Sequence, residues 1–364
     1  MKSATATSLA CIERSTAEVA DTTLFPTYGT ADLKWKLKGS AEWTSGFYPG
    51  CLWYAYELSN DARFERWACQ WTAGIGREML NPATHDLGFR FMSSFGNGLR
   101  LMDDRLGYRD SILTAAATLD NLFNPAVGCI RSGWDEKQFG NSCPVLIDIM
   151  GNLELLFWAS KNGGSPVLAD HARTHAITTC RDFIRPDGGT YHIVRYNETT
   201  GTVINKGTLQ GAGDETTWSR GHAWGLYGMI VVYRYTHEQQ FLATAIRLAD
   251  YFLAHLPDDH VAPWDFQSPV KKSDASATSV VASALLELAT YLDGPQRDHY
   301  VKEAETLLAA LCRPPYFTEG HGTNCILDHS VHNLPRSSNV DVPSIFADYY
   351  FLEALVRYRG MREE

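Results

Sequence analysis

Two kinds of helix-forming segment alternate along this chain, and that alternation limits its fold more than any other feature. Six segments are apolar on nearly every face and open with a polar or aromatic cluster. They are "EWTSGFYPGCLWYAYEL" from near Glu42, "HDLGFRFMSSFGNGLRLM" from near His85, "VLIDIMGNLELLFWASK" from Val145, "TTWSRGHAWGLYGMIVVYRY" from near Thr216, "SDASATSVVASALLELATYL" from Ser273 and "SNVDVPSIFADYYFLEALVRY" from near Ser338. A helix apolar all round must be buried on all sides. Five amphipathic segments, starting at Asp61, Tyr108, Leu168, Gln239 and His299, follow the first five of these. Each has an apolar stripe that can cover a buried neighbour and a polar face for water. The stretch before residue 20 supplies a sixth cover.

Six inner and six outer helices predict an all-α fold, an (α/α)6 barrel, with residues 1–364 forming a single catalytic domain. Strand signals are few. "TYHIVRY" (190–196) and "TVIN" (202–205), separated by "NETTG", predict a small β-hairpin insertion. In such a barrel the inner helices run parallel and their starts meet at one end. Those starts carry Trp43, Asp86, Trp218, Arg220, Asp274 and Ser344, with Asp148 near a fourth. Helix N-termini add positive potential there, which suits an anionic ligand. Some of these polar residues can be plain N-caps, and that reading covers Ser273 and Asp341. It does not cover the tryptophans.

The formal net charge of −10 and the absence of any long Lys/Arg block argue against a nucleic-acid partner. No apolar stretch approaches membrane-spanning length. The eight cysteines are scattered without a C-x-x-C pair, so zinc-ribbon and redox readings fail, and most read as small buried apolar residues. "MKSATATSLACIERSTAEVA" has no apolar run long enough for a secretory signal, so the expected location is the cytoplasm. Ten Trp and seventeen Tyr exceed the needs of a core and suit stacking on sugar faces.

Asp148 carries the most chemical information. Among the fourteen residues of "VLIDIMGNLELLFW" only Asp148, Asn152 and Glu154 are polar, and Asp148 and Asn152 share a helix face at i, i+4. Burial raises a carboxyl pKa, and so does a second carboxylate, which makes a proton donor near neutral pH. A structural Asp bonded to backbone is the alternative. Asp86, at the start of the neighbouring inner helix, shifts the balance, because paired carboxylates in a cleft are the equipment of glycoside cleavage. Arg220 and Trp224, also i, i+4, bring a guanidinium and an indole to one face, one to grip a carboxylate and one to stack on a sugar. An Arg pairing with a neighbouring acid beside a core Trp would look the same. His192 lies on the expected hairpin, Trp134 in the loop "IRSGWDEK", and Gln210 in the Gly-rich "TLQGAGDETTW", which lacks phosphate-loop spacing. His85 and Asp86 have no i, i+4 His partner, so no metal is expected.

With these residues assembled, "WTSGFYPGCLWYAYELS", "HDLGFRF", "LIDIMGNLELLFWAS", "GTLQGAGDETTWSRGHAWGLYG", "DASATSVVASALLEL" and "FADYYFLEAL" resemble, in order, the unsaturated glucuronyl hydrolases of glycoside hydrolase family 88. The resemblance runs from about Trp43 to the C-terminus. It implies an (α/α)6 barrel without cofactor or metal that removes a 4,5-unsaturated uronic acid from the non-reducing end of lyase-made oligosaccharides. It implies Asp148 as the acid that protonates C4 and then as the base for water at C5, with Asp86 holding ring hydroxyls and tuning Asp148. Substrate contacts carry over onto Trp43, His85, Trp134, His192, Gln210, Arg220 and Trp224. His222 stands where the family often has Gln, which bears on substrate preference. The unsaturated rhamnogalacturonyl hydrolases on the same barrel, or a catalytically silent glycan-binding barrel, are the alternatives. The oligomeric state and the parent polysaccharide stay open.

Overall fold

A computed structural model describes residues 2–133, 142–318 and 322–363. The helices are α1 (Lys2–Glu18), α2 (Phe47–Ser59), α3 (Ala62–Ile75), α4 (Leu87–Phe91), α5 (Asn97–Met102), α6 (Tyr108–Asp120), α7 (Glu154–Lys161), α8 (Val167–Asp182), α9 (Ser219–Thr236), α10 (Gln239–Ala254), α11 (Ala275–Ala289), α12 (Gly294–Leu311) and α13 (Ile345–Glu363). A π-helical turn, Met92–Gly96, joins α4 to α5, so the two act as one inner helix.

The two classes of segment separate as their patterns demand. All of α11 and the run Phe47–Ala55 of α2 are buried. By contrast α3 buries only one stripe, Phe64, Ala68, Trp71, Thr72 and Ile75, and Asp61 caps it by accepting from the Arg63 amide. The inner ring closes through successive packing of α2 on α13, α13 on α11, α11 on α9, α9 on α7, α7 on α4 and α5 on α2. The outer helices α1, α3, α6, α8, α10 and α12 lie against this ring. Together they form the helical barrel. Among the described residues no helix is long and apolar enough to cross a membrane.

Strands are more numerous than the sequence suggested. The pairs are β1 (Phe25–Gly29) with β2 (Trp35–Lys38), β3 (Phe123–Asn124) with β4 (Cys129–Ile130), and β8 (Ser330–Asn333) with β9 (Ser338–Val342). The expected hairpin exists as β6 (Ile193–Asn197) and β7 (Val203–Gly207), and it gains a third strand, β5 (Ser142–Leu146). Two inner segments are therefore corrected. The third does not begin as helix at Val145: that residue pairs with Val194 in the sheet, a 3₁₀ turn spans Ile147–Asn152, and helix starts at Glu154. The sixth opens as β9, and its helix starts at Ile345.

The caps also differ. Asp274, not Ser273, caps α11, accepting from the Ser276 amide at 3.1 Å. Asp341 is no cap but an ion-pair partner of Lys272, at 2.7 Å, and His329, at 2.6 Å.

The sheet β5–β6–β7 sets the site's geometry. Leu146 and Ile193 are register partners, so the turn after β5, carrying Asp148, faces the residue before β6, His192. The Ile147 amide donates to the His192 carbonyl at 3.0 Å and fixes that approach. Gly228 of α9 supports the same turn from below. A Cβ there would lie 2.5 Å from the Met150 Cβ and carbonyl oxygen. Gly228→Ala is expected to cost about 1–3 kcal/mol by overpacking, read by thermal unfolding, and to lower kcat by shifting the Asp148 turn.

Candidate active site

A cavity of about 870 Å³ opens where the inner helices begin. Residues preceding or opening those helices line it: Trp43 before α2, Asp86 before α4, Asp148 before α7, and Trp218, Arg220 and Trp224 at the start of α9. His332 and Asn333 of β8 and Gln210 of the Gly-rich loop complete the wall. Of the helix-start residues singled out above, Asp274 and Ser344 lie behind the wall. Asp274 pairs with Arg220, and the Ser344 hydroxyl meets that of Ser330 at 3.0 Å.

The two aspartates, 62 positions apart in "HDLGF" and "LIDIM", meet at the bottom. One ligand atom each from His85, Asp86 and Asp148 lie within 4.8 Å of one another. His85 Nε2 stands 3.6 Å from Asp86 Oδ1 and 3.7 Å from Asp148 Oδ2. Its other nitrogen, Nδ1, accepts from the Gly133 amide at 3.1 Å. The ring proton therefore sits on Nε2 and points at both acids. This also bears on metal binding. The three groups are close enough to surround a cation, but a ligating imidazole must offer a bare nitrogen, and the one facing the acids carries the proton.

Asp148 is the more accessible acid, with 15% of its side chain exposed against 6% for Asp86. Its Oδ1 is buried without a hydrogen-bond partner among the described residues, and so is His192 Nε2. His192 Nδ1 accepts from the amides of Leu209, at 3.2 Å, and Gln210, at 3.3 Å, so Nε2 is its donor. Burial pushes the His192 pKa down to about 4, which keeps the ring neutral at physiological pH.

Charge is divided differently from the expectation that burial alone would leave a proton on Asp148. Burial pushes the Asp86 carboxyl above the ordinary range, and the facing charge of Asp148 adds to this against the pull of His85. Burial also acts on Asp148, but the N–H of His85 and the facing His85 and His192 rings outweigh it and hold this carboxyl below its ordinary range. The carboxylates raise the His85 pKa against the effect of burial, yet a second ring proton would have to displace the Gly133 amide. Of the two acids, Asp86 is thus the more readily protonated and Asp148 the more readily ionised. A raised folded-state pKa contributes stability that is complete below the unfolded value and is lost as pH rises through the folded value. At neutral pH an ionised Asp86 is therefore a cost that Asn cannot incur. Asp86→Asn is expected to raise the melting temperature at pH 7, with the gain shrinking as pH falls toward 4, while activity drops.

Arg220 is more committed than the sequence suggested. It is 1% exposed and pairs with the fully buried Asp274 at 2.8 Å. Its Nη1 also donates to the Val331 carbonyl, and Nη2 donates to the His332 carbonyl at 2.7 Å. Three of its five N–H donors are thereby used, and the guanidinium lies 4.6 Å from the Trp218 ring centroid. The pairing with a neighbouring acid, held open above, is what this arginine does, and it still faces the cavity. Trp224 packs on Phe89 at 4.9 Å, and Trp43 on Phe346 at 5.1 Å, giving the cavity aromatic walls. Gln210 Nε2 donates to the His332 carbonyl at 2.7 Å. Trp134 lies outside the described residues.

His222 does not share the Arg220–Trp224 face. Two positions on from Arg220, it points outward between helices. Its Nε2 meets the Leu248 carbonyl at 2.8 Å, and burial lowers its pKa to about 4. It has no path to influence substrate choice by contact. Conversely, the sequence reading missed Arg90, buried beside Asp86, and the rim residues Lys36, Lys38 and Arg336. Lys36 and Lys38 alternate on β2 and could have been read as one face. Arg336 sits in the turn between β8 and β9, where no periodicity marks it.

The likeness to known proteins spans nearly the whole chain and its fold. No family model matches the chain. An unsaturated glucuronyl hydrolase of Formosa agariphila is 39% identical over 328 residues, which is 88% of this chain and 81% of that protein. Another from Bacillus sp. strain GL1 is 33% identical over 343 residues, 92% of this chain and 90% of that protein. The crystal structure of an unsaturated glucuronyl hydrolase specific for heparin superposes with a TM-score of 0.93 at 37% identity, covering 100% of this chain and 98% of that one. Similarity of this extent, on a helical barrel whose inner helix starts gather paired aspartates in an aromatic cavity, places the chain: it belongs to the family of unsaturated glucuronyl hydrolases.

Proposed function

We propose that the protein hydrolyses oligosaccharides left by polysaccharide lyases, releasing the 4,5-unsaturated uronic acid at their non-reducing end, with Asp148 as acid and base and Asp86 as its partner. The observation that carries this is the His85–Asp86–Asp148 group, whose ligand atoms lie within 4.8 Å of one another. Two carboxylates so close leave no room between them for the water of an inverting displacement, which needs a separation of roughly 6.5–9.5 Å. Of what that spacing leaves, a retaining displacement or a reaction at one face of a double bond, the similarity to unsaturated glucuronyl hydrolases favours the second.

In that reaction Asp148 gives its proton to C4. The π electrons form the C4–H bond and leave positive charge on C5, shared with the ring oxygen. Water adds to C5 and returns a proton to Asp148. The resulting hemiketal opens by breaking the bond from C5 to the ring oxygen. The C5 hydroxyl becomes a ketone and its proton passes through water to the ring oxygen, which stays on C1 as a hydroxyl; that hemiacetal then collapses to an aldehyde, its proton going to the departing sugar oxygen. The ionised state of Asp148 in the free protein is compatible with this role. An arriving substrate carboxylate adds a like charge beside the pair and draws protons onto it. Solvent water entering with the substrate supplies that proton.

Arg220, Gln210 and His192 would orient the unsaturated ring between Trp43 and Trp224. Lys36, Lys38 and Arg336 on the rim favour acidic substituents on the next sugar. The volume of about 870 Å³ suits a disaccharide. The test is a panel of lyase-made glycosaminoglycan disaccharides followed by loss of the enol-ether absorbance. Turnover is expected. Saturable binding with no turnover across the panel would leave only a glycan-binding barrel.

A further inference from the structure

Asp86 stands at the N-cap position of α4, yet its side chain makes no capping bond. An Asp at that position ordinarily accepts from the amide two or three residues on. Here the amide three residues on, that of Phe89, donates at 2.7 Å to Asn152 Oδ1. Asn152 is fully buried and lines no part of the cavity. It closes the turn that carries Asp148, and its Nδ2 donates to the Asp148 carbonyl at 3.3 Å. The contact is close by construction, because a Cβ on Gly88 would lie 2.5 Å from the Asn152 Cα and carbonyl oxygen.

We propose that Asn152 is a positioning residue for the acid pair: it caps α4 from the neighbouring element, which releases the Asp86 carboxylate from capping its own helix and holds it in the cavity facing Asp148. This rests on the activity proposed above. Without the Asn152 oxygen, the Asp86 carboxylate is the side-chain acceptor that the Phe89 amide of the same turn ordinarily takes. Asp86 then folds back onto its helix and leaves Asp148 alone. The same side chain ties the two acid-bearing elements together, so both acids keep one relative position.

The test uses the full chain and an unsaturated disaccharide that the wild type turns over. A wild type inactive on all such disaccharides would count against the activity itself, before Asn152 is touched. Asn152→Ala is expected to lower kcat by about 10–100-fold with KM within about threefold, as sub-ångström misplacement of a reacting group does. Asn152→Asp keeps an acceptor for the Phe89 amide but loses the Nδ2 donor to the Asp148 carbonyl, so it should recover only part of the kcat that Asn152→Ala loses. In the Asp86→Asn background, Asn152→Ala should cost less than about twofold more, because coupled residues are non-additive. Equal losses in both backgrounds would overturn the proposal. If Asn152→Ala does not fold, Asn152→Asp takes its place, and equal kcat losses for it in the wild-type and Asp86→Asn backgrounds would overturn the proposal as well.

Discussion

Asp148→Asn is expected to lower kcat on an unsaturated disaccharide by about 10²–10⁴-fold while the circular dichroism spectrum and melting temperature stay close to wild type. The amide has the shape of the carboxyl group but cannot give a proton to C4 or take one from water. Fold retention follows from its surroundings. Among the described residues Asp148 Oδ1 has no hydrogen-bond partner and Oδ2 faces the His85 Nε2 at 3.7 Å, so little structural bonding is lost. The dissociation constant for the disaccharide should change far less than kcat. Turnover of the Asn variant at the wild-type rate would remove Asp148 from the reaction.

Arg220→Met is expected to destabilise the protein by about 3–5 kcal/mol, read by denaturant unfolding, because it leaves the fully buried Asp274 without its counter-charge. Asp274 cannot move away. It caps α11 through the Ser276 amide and also accepts from the Ser276 hydroxyl. The loss spreads to β8, whose Val331 and His332 carbonyls both take guanidinium protons. Adding Asp274→Asn to the variant should recover part of the stability, since the uncompensated charge is gone. This separates two roles. An arginine present only to hold the ligand carboxylate would raise KM on replacement and leave unfolding unchanged.

The barrel was legible in the chain because total burial erases helical amphipathicity, and that erasure is itself a pattern. The segment that became α11 has no polar stripe to hide. The corrected segments were ambiguous for a physical reason. "SCPVL" is a short apolar run that suits a sheet or a buried helix, and its partner strand lies some fifty positions away at Ile193–Asn197. The cavity residues were legible as chemistry, since Asp148 in an apolar run and Arg220 beside Trp224 stand out by type. Their electrostatics were not. Whether a buried acid holds its proton depends on which ring faces it, and His85 faces both acids only after two helix starts converge. The commitment of Arg220 to Asp274, 54 positions away, and of Asn152 to the Phe89 amide are facts of packing with no local signal.

The account stands on protonation of C4 by the acid pair, and a reaction run in D₂O tests this directly. NMR of the product at the earliest time points should show one deuterium at C4, on a single face of the sugar, appearing in step with release of the leaving sugar. Release of a uronic acid that still carries its double bond and no deuterium at C4 would mean attack at the anomeric carbon, and would contradict it.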